Sequence, residues 1–467
     1  MDKYKKLAFN TIIFAVGSFG SKIFSLFLNN LYTKHISPAG FYTKSLIETT
    51  ALFLLPLFTF SLTEAVVRYS LDKKYEKKQI FTTAAVLIFA GLLLMILLMP
   101  FIRLIPVLAP IKEYTAMLAV YVCMSAARSL CSQFVKARGM VRLFAFDGIL
   151  TTMTLFFLNV IFISRMEMGV GGFMLSVILS DACSALFLFI AAGLRSFLDI
   201  HNFENKLGKK LLHFSLPLIP TTVMWTFTGF SDQIFIGNLC SEEAAGIYSA
   251  AAKLPNLISM LSGVFFQAWN ISAITENDSE GRDEFYEKVY RTYESVLFIG
   301  SAALILLIKP VSAVLINYDT FPEYSAAYLY APLLIAAAVF TCLDLFLAGI
   351  YTATKHTVNS LVTVFAACGA NIFLNLYFIP RFGIYGAAVA TFLSYFVCYW
   401  IRIADSRRYV PFRFSALRNI FNTCMILLMC LLTVGQKDLI IILAAAFAIV
   451  LFNIKAVLAA VRTAVHR

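Results

Sequence analysis

The sequence predicts an all-α, polytopic membrane protein of about 14 transmembrane helices, with two parallel six-helix lobes and two further C-terminal helices. Composition, the recurrence of long apolar stretches and an internal repeat together predict this class. Of the 467 residues, 60% are hydrophobic and 14% charged, with a mean hydropathy of +0.82. A soluble domain carries about 45–50% apolar and about 25% charged residues. No water-surrounded core absorbs that surplus, so the matching solvent is a bilayer. One span takes about 20 apolar residues, and fourteen spans use up roughly the 280 present. What remains is loops, which excludes a soluble enzyme, a DNA-binding protein and a fused ATPase.

The apolar stretches follow one another with short polar breaks. The first six cover 7–32, 45–67, 80–104, 114–135, 143–163 and 172–194. The next six cover 211–236, 245–274, 292–315, 325–352, 358–379 and 383–403, and a last pair covers 417–434 and 439–458. The first stretch is too long and too polar on one side for a cleaved signal, and no small-residue cleavage site follows it. It reads as the first span of the mature protein.

Loop charge orients the spans. With the N-terminus cytoplasmic, 27 of the 38 Lys and Arg fall in inside segments and 8 outside, Lys34 and Lys44 among the latter. Both termini are then cytoplasmic, in a cell-membrane protein with an even number of spans. The net charge of +12 becomes a topology signal with attraction to anionic lipid headgroups, and implies no nucleic-acid partner. Lys22, Arg128 and Lys253 are the three cations left inside spans. The nine Cys form no CxxC pair and the five His show no ligand spacing, so no metal site or cofactor is indicated.

The repeat appears at offsets of about 204–216 residues. Ile36-Ser-Pro-Ala-Gly40-Phe-Tyr42 is echoed by Cys240-Ser-Glu-Glu-Ala-Ala-Gly246-Ile-Tyr248, and Leu158-Asn159-Val-Ile-Phe162-Ile163 by Leu374-Asn375-Leu-Tyr-Phe378-Ile379. A basic residue and a Gly-rich helix start follow each copy of the second motif. Six helices is an even number, so both copies enter from the same side and the repeat is parallel. The lobes are then 1–210 and 211–410, and 411–467 holds the last pair and a cytoplasmic tail. Such a bundle is expected to place its substrate cavity between the lobes and to work by alternating access.

Polar residues inside spans face protein or water, because lipid cannot solvate them. In the first stretch Ser18, Lys22, Ser25 and Asn29 step 4, 3 and 4 residues and share one face. In the seventh, Thr221, Trp225, Thr228 and Asp232 step the same way. The eighth carries Lys253, Asn256, Gln267 and Asn270 on one face. The stripes of the first and eighth stretches supply the candidate substrate-binding residues Lys22, Ser18, Ser25, Asn29, Lys253, Asn256, Gln267 and Asn270. Asp232, Asp181, Arg128, Asp344 and Glu48 are candidates for coupling or gating. Arg128 and Asp344 occupy equivalent repeat positions and are candidates to pair with each other. Lys22 has Asp232 or Asp181 as alternative partners to a substrate anion, Asp147 has nearby cytoplasmic cations, and Glu48 and Lys253 are near enough to the interface to snorkel.

No GxxxxGK[ST], HExxH or GxSxG is present, which leaves a secondary transporter, a flippase or a channel. The architecture resembles the multidrug/oligosaccharidyl-lipid/polysaccharide exporter superfamily. Within it, Phe14-Ala-Val-Gly17-Ser-Phe-Gly-Ser-Lys22-Ile-Phe-Ser25 and Ala244-Ala-Gly-Ile-Tyr248-Ser-Ala-Ala-Ala-Lys253-Leu254 resemble the polysaccharide-flippase branch. That resemblance implies a flippase that carries polyprenyl-pyrophosphate-linked oligosaccharide from the inner to the outer leaflet, for surface polysaccharide biosynthesis. It implies no enzyme activity, a monomer among membrane lipids, H+ or Na+ as coupling ion, and association with a polymerase and glycosyltransferases. A cation-coupled multidrug exporter is the alternative, and it expects a lumen dominated by acids. A lipid II flippase is another; its first helix carries a cation at the position resembling Lys22, but the second stretch here lacks a mid-span Arg. A non-transporting scaffold has no need of the polar stripes.

Overall fold

The computed structural model describes residues 27–465 except 71–74, 200–201, 229, 277–278, 355 and 436–438. Lys22, Ser18 and Ser25 lie outside the described residues, as do the side chains of Thr221, Trp225, Thr228, Gln267 and Asn270. Among the described residues every regular element is helical. The chain divides into two compact units, an N-terminal one within Ile23–Phe230 and a C-terminal one within Ser231–Arg467.

The N-terminal unit begins with helical residues 27–35 (α1). It continues with α2 (Pro38–Phe58), α3 (Leu62–Ser70), α4 (Lys77–Ile102), α5 (Thr115–Ala137) and α6 (Val141–Asn159). It closes with α7 (Gly169–Ala191), the short α8 (Asn205–Ser215) and α9 (Leu218–Thr228). Leu62, Val66, Phe81, Ile88, Phe134, Leu188 and Leu211 form its apolar core. The C-terminal unit holds α10 (Ser231–Leu239), α11 (Glu242–Ala251), α12 (Asn256–Glu276), α13 (Arg282–Leu306), α14 (Ile308–Leu315) and α15 (Ala327–Ala353). It ends with α16 (Thr357–Phe382), α17 (Ile384–Ser406), α18 (Ala416–Val434) and α19 (Leu439–Val465). α15 is its axis, packed against α12, α13, α17 and α18, with Ala336, Ala337 and Ala338 letting its neighbours approach closely. Leu97 and Phe101 of α4 and Leu431 of α18 point outward, as lipid-facing positions should.

The repeat motifs turn out to be helix starts and tight packing points. Ser37 and Ser241, aligned in the sequence, are both N-caps, with Oγ accepting from Gly40 N at 3.2 Å and Ala244 N at 3.1 Å. Gly172 and Gly386 each lie on the backbone of the preceding helical segment. A Cβ on Gly172 would sit 3.0 Å from Phe162 O, and one on Gly386 2.3 Å from Phe378 O.

Among the described residues ten helices are long and apolar enough to cross a membrane, or eleven if one bent pair counts as a span. The expected fourteen are not all found: most of the first stretch lies outside the described residues, and three others are broken for a physical reason. The second breaks after Pro56 into α2 and α3, bent by 55°, with positive φ at Phe60 and Ser61. The seventh is divided among α8, α9 and α10, with Pro217 before α9 and Pro220 in its first turn. The eighth breaks at Pro255 between α11 and α12. Proline removes a backbone donor and crowds the carbonyl four residues back, so each of these helices stops or bends there. The last pair does form, as α18 and α19.

Candidate functional site

Asp232 is the second residue of α10 and is 3% exposed. Four neutral groups from three other helices converge on it. Asn371 Nδ2 and Asn375 Nδ2, one turn apart on α16, donate to Oδ1 at 3.1 and 2.6 Å. Tyr248 of α11 donates its OH to Oδ2 at 2.6 Å, and Thr391 of α17 also donates to Oδ2. Ser231 Oγ steadies Asn371 through its Oδ1 at 2.6 Å. A carboxylate has about four acceptor sites, and here all are filled without a countercharge. Among the described residues no Lys or Arg forms an ion pair with Asp232.

Thr391 Oγ1 lies within reach of both Asp232 and Ala387 O, at 2.9 Å from the latter, yet it carries one proton. With Asp232 ionised, the hydroxyl turns to the carboxylate. With Asp232 protonated, the acid donates to Thr391 and Thr391 donates to the carbonyl. The bonding survives either state. Asn375, whose Nδ2 donates to Asp232, also leaves its own Oδ1 buried with no partner among the described residues. Asn371, Asn375, Tyr248 and Thr391 were not singled out as site residues from sequence. The visible signal was two Asn at i and i+4 in an apolar span, where each amide must find a partner.

The other candidate acids are answered locally. Arg128 is bound within its own unit. Its Nη1 donates to Asp181 of α7 at 3.2 Å, and Ser125 donates to the same carboxylate. Asp344 is 2% exposed and has Arg402, itself fully buried, with Nε at 3.9 Å. Arg402 spends its donors on Thr363 Oγ1, Asp344 O and Ser360 O. Asp147 takes a hydrogen bond from Ser184 at 2.5 Å, where cytoplasmic cations were expected. Glu48 is bound by Lys44 Nζ at 2.7 Å rather than reaching for the interface. That corrects Lys44, which counts as an outside-loop cation in the sequence but is 2% exposed inside α2. Its Nζ lies 4.4 and 4.5 Å from the ring centroids of Tyr32 and Phe173. Asn29 is buried, Lys253 is half-buried just before the Pro255 break, and Asn256 is exposed at the first turn of α12.

One ion pair escaped the sequence reading altogether. Glu294 of α13, 1% exposed, is bound by Arg418 and by Asn419 Nδ2 at 2.9 Å, both on α18. Asn419 also reaches Tyr399 OH at 3.1 Å, and Tyr399 meets Tyr290 at 2.5 Å. Asn422 and Asn453 exchange hydrogen bonds between α18 and α19 at 2.8 and 3.2 Å. These contacts seat the last two helices. Arg418 sits at the start of a stretch and Glu294 two residues into another, where charges pass for interfacial ones.

The family model for polysaccharide biosynthesis proteins matches residues 7–271, more than half of the chain. The chain belongs to this family. No curated protein matches it by sequence. As a fold, the chain is similar to the lipid II flippase MurJ in an inward closed conformation, with a TM-score of 0.69 at 15% identity over 97% of this chain and 98% of that one. It is also similar to a MATE family multidrug resistance transporter of the MOP superfamily. The outward-facing form gives a TM-score of 0.63 at 14% identity over 88% of this chain and 96% of that one. The inward-facing form gives 0.65 at 13% identity over 88% and 99%. The chain thus has the fold of MurJ and the MATE transporters, and ten of its described helices are long and apolar enough to cross a membrane.

Proposed function

We propose that the protein is a flippase that moves a polyprenyl-pyrophosphate-linked oligosaccharide from the inner to the outer leaflet of the cell membrane. It works by alternating access, with both termini cytoplasmic, and it serves surface polysaccharide biosynthesis. The observation that carries this reading is the match over 7–271 to a family of polysaccharide biosynthesis proteins, whereas the MATE transporters that share the fold are described by multidrug resistance. The Asp232 cluster supports a coupling role: a buried carboxylate held by neutral donors takes up and releases H+ or Na+ as the protein cycles. Lys22, Ser18, Ser25 and Lys253 are assigned to the substrate's pyrophosphate and first sugars, because a lipid-linked anion needs cations along its path.

The likeness to MATE transporters favours a second reading, a cation-coupled multidrug exporter, in which Asp232 has the same role and Lys22 has none. Complementation of a flippase-deficient strain, with membrane abundance measured in parallel, separates the two. Lys22→Ala abolishes surface glycan at normal abundance, Lys22→Arg keeps part of it, and Lys22→Glu is worse than Ala. One hydrogen bond to a charged group is worth about 1.5–3 kcal/mol, a roughly 10- to 150-fold loss in binding. Normal glycan in the Glu variant at normal abundance overturns the flippase reading.

A further inference from the structure

α8 is a helix that the transport reading does not use. It has eleven residues, about 17 Å of helix, too short to cross a bilayer. Leu207, Gly208, Leu211 and Ser215 form its buried face. That face rests on α3 and on the first turns of the spanning helix α4, with Gly208 against Thr83 and Leu87. Glu204 N approaches Thr83 Oγ1 at 3.4 Å, and Phe214 meets Tyr69 of α3 edge-on at 6.0 Å. Lys77 and Lys78 open α4, so these turns lie at the membrane boundary and α8 lies beside them.

The opposite face of α8 is exposed and of one charge. Lys206, Lys209, Lys210 and His213 point outward along it. Only Lys210 has a described hydrogen bond, to Tyr75 OH at 3.1 Å. Phe203, Phe214 and Leu216 are exposed beside these cations, and Arg68 at the end of α3 is exposed as well. A soluble phosphate would satisfy the lysines but offer nothing to the phenyl rings. A bilayer surface satisfies both, with headgroup phosphates for the cations and the acyl boundary for the rings. We propose that the outward face of α8 docks on anionic phospholipid headgroups of the leaflet that α8 borders, which loop charge makes the cytoplasmic one. Anionic lipid therefore holds in place the segment that joins α7 to α9.

The test uses the purified full-length protein in neutral phosphatidylcholine micelles, titrated with phosphatidylglycerol, with thermal midpoint as the readout. It needs no transport and no substrate, so its outcome is independent of the flippase reading. Phosphatidylglycerol raises the midpoint of the wild type, and 0.5 M NaCl weakens the effect. Each lysine near an anionic surface is worth about a 5-fold change in affinity. Lys206→Gln with Lys209→Gln and Lys210→Gln thus shifts the titration by about 100-fold, and the matching triple Arg variant keeps it. If the triple Gln variant does not fold, Lys206→Gln alone shifts the titration by about 5-fold. An unshifted titration in whichever Gln variant folds overturns the proposal. So does an equal rise with inorganic pyrophosphate, which would make the face a soluble-anion site.

Discussion

In the N-terminal unit, Asp181 is answered by Arg128 and Glu48 by Lys44. In the C-terminal unit, Asp232 is answered by two amides and two hydroxyls. The two units share a helix pattern down to matching N-caps and glycine contacts. Yet at an offset of 204 the N-terminal unit has Leu28 where the C-terminal unit has Asp232. A carboxylate paired to a guanidinium keeps one charge state, because releasing either partner leaves a buried charge unanswered. A carboxylate held by hydroxyls that can turn keeps its bonds in two charge states. The difference separates acids that build the protein from the acid that can work in it. The C-terminal unit holds both kinds, since Asp344 and Glu294 have Arg402 and Arg418.

The largest effect that would sharpen this contrast is structural. Arg418→Ala leaves Glu294 buried without its cation and lowers unfolding stability in detergent by about 3–5 kcal/mol. Glu294→Gln combined with Arg418→Met recovers most of that loss. Arg128→Ala in the N-terminal unit costs less, about 1.5–3 kcal/mol, because its side chain is 34% exposed and water partly replaces the bond. Equal losses for the two single variants would show that burial does not rank these pairs.

Next comes Asp232→Asn. It preserves shape and most hydrogen bonds, so thermal stability stays near wild type. The response of transport to an imposed H+ or Na+ gradient falls roughly 10- to 150-fold, the range expected for losing one charged contact. Asp181→Asn does the reverse, with lowered stability and the gradient response kept. Finding the gradient response lost in Asp181→Asn and intact in Asp232→Asn would exchange the roles given to the two units.

The smallest effects compare the repeated glycine contacts. Gly386→Ala forces a Cβ to within 2.8 Å of three backbone atoms of Phe378 and Ile379 and costs about 1–3 kcal/mol by overpacking. Gly172→Ala meets its tightest neighbours at 3.0 Å and costs less than its counterpart. Urea or thermal unfolding of the two variants gives the order, and a reversed order would break the equivalence of the two contacts.

Composition and patterning by themselves determined that this chain is an all-helical membrane protein, because bilayer thickness sets one length for every span. They also singled out Asp232, since an acid in an apolar helix is conspicuous anywhere. The tertiary structure decided which acids are paired. Arg128 has candidate acids at many sequence separations, and only helix packing put Asp181 on the neighbouring face of α7. Lys44 looked like a loop residue because polar Thr43 and Ser45 flank it at the start of an apolar stretch, yet the rings of Tyr32 and Phe173 that receive it lie on other helices. The ring of donors around Asp232 was equally hidden, for Tyr248, Asn371, Asn375 and Thr391 come from three helices spread over 144 residues. Sequence periodicity reports which face of a helix is polar. Only packing determines which other polar face it meets, because side-chain hydrogen bonds act over about 3 Å and carry no signature along the chain.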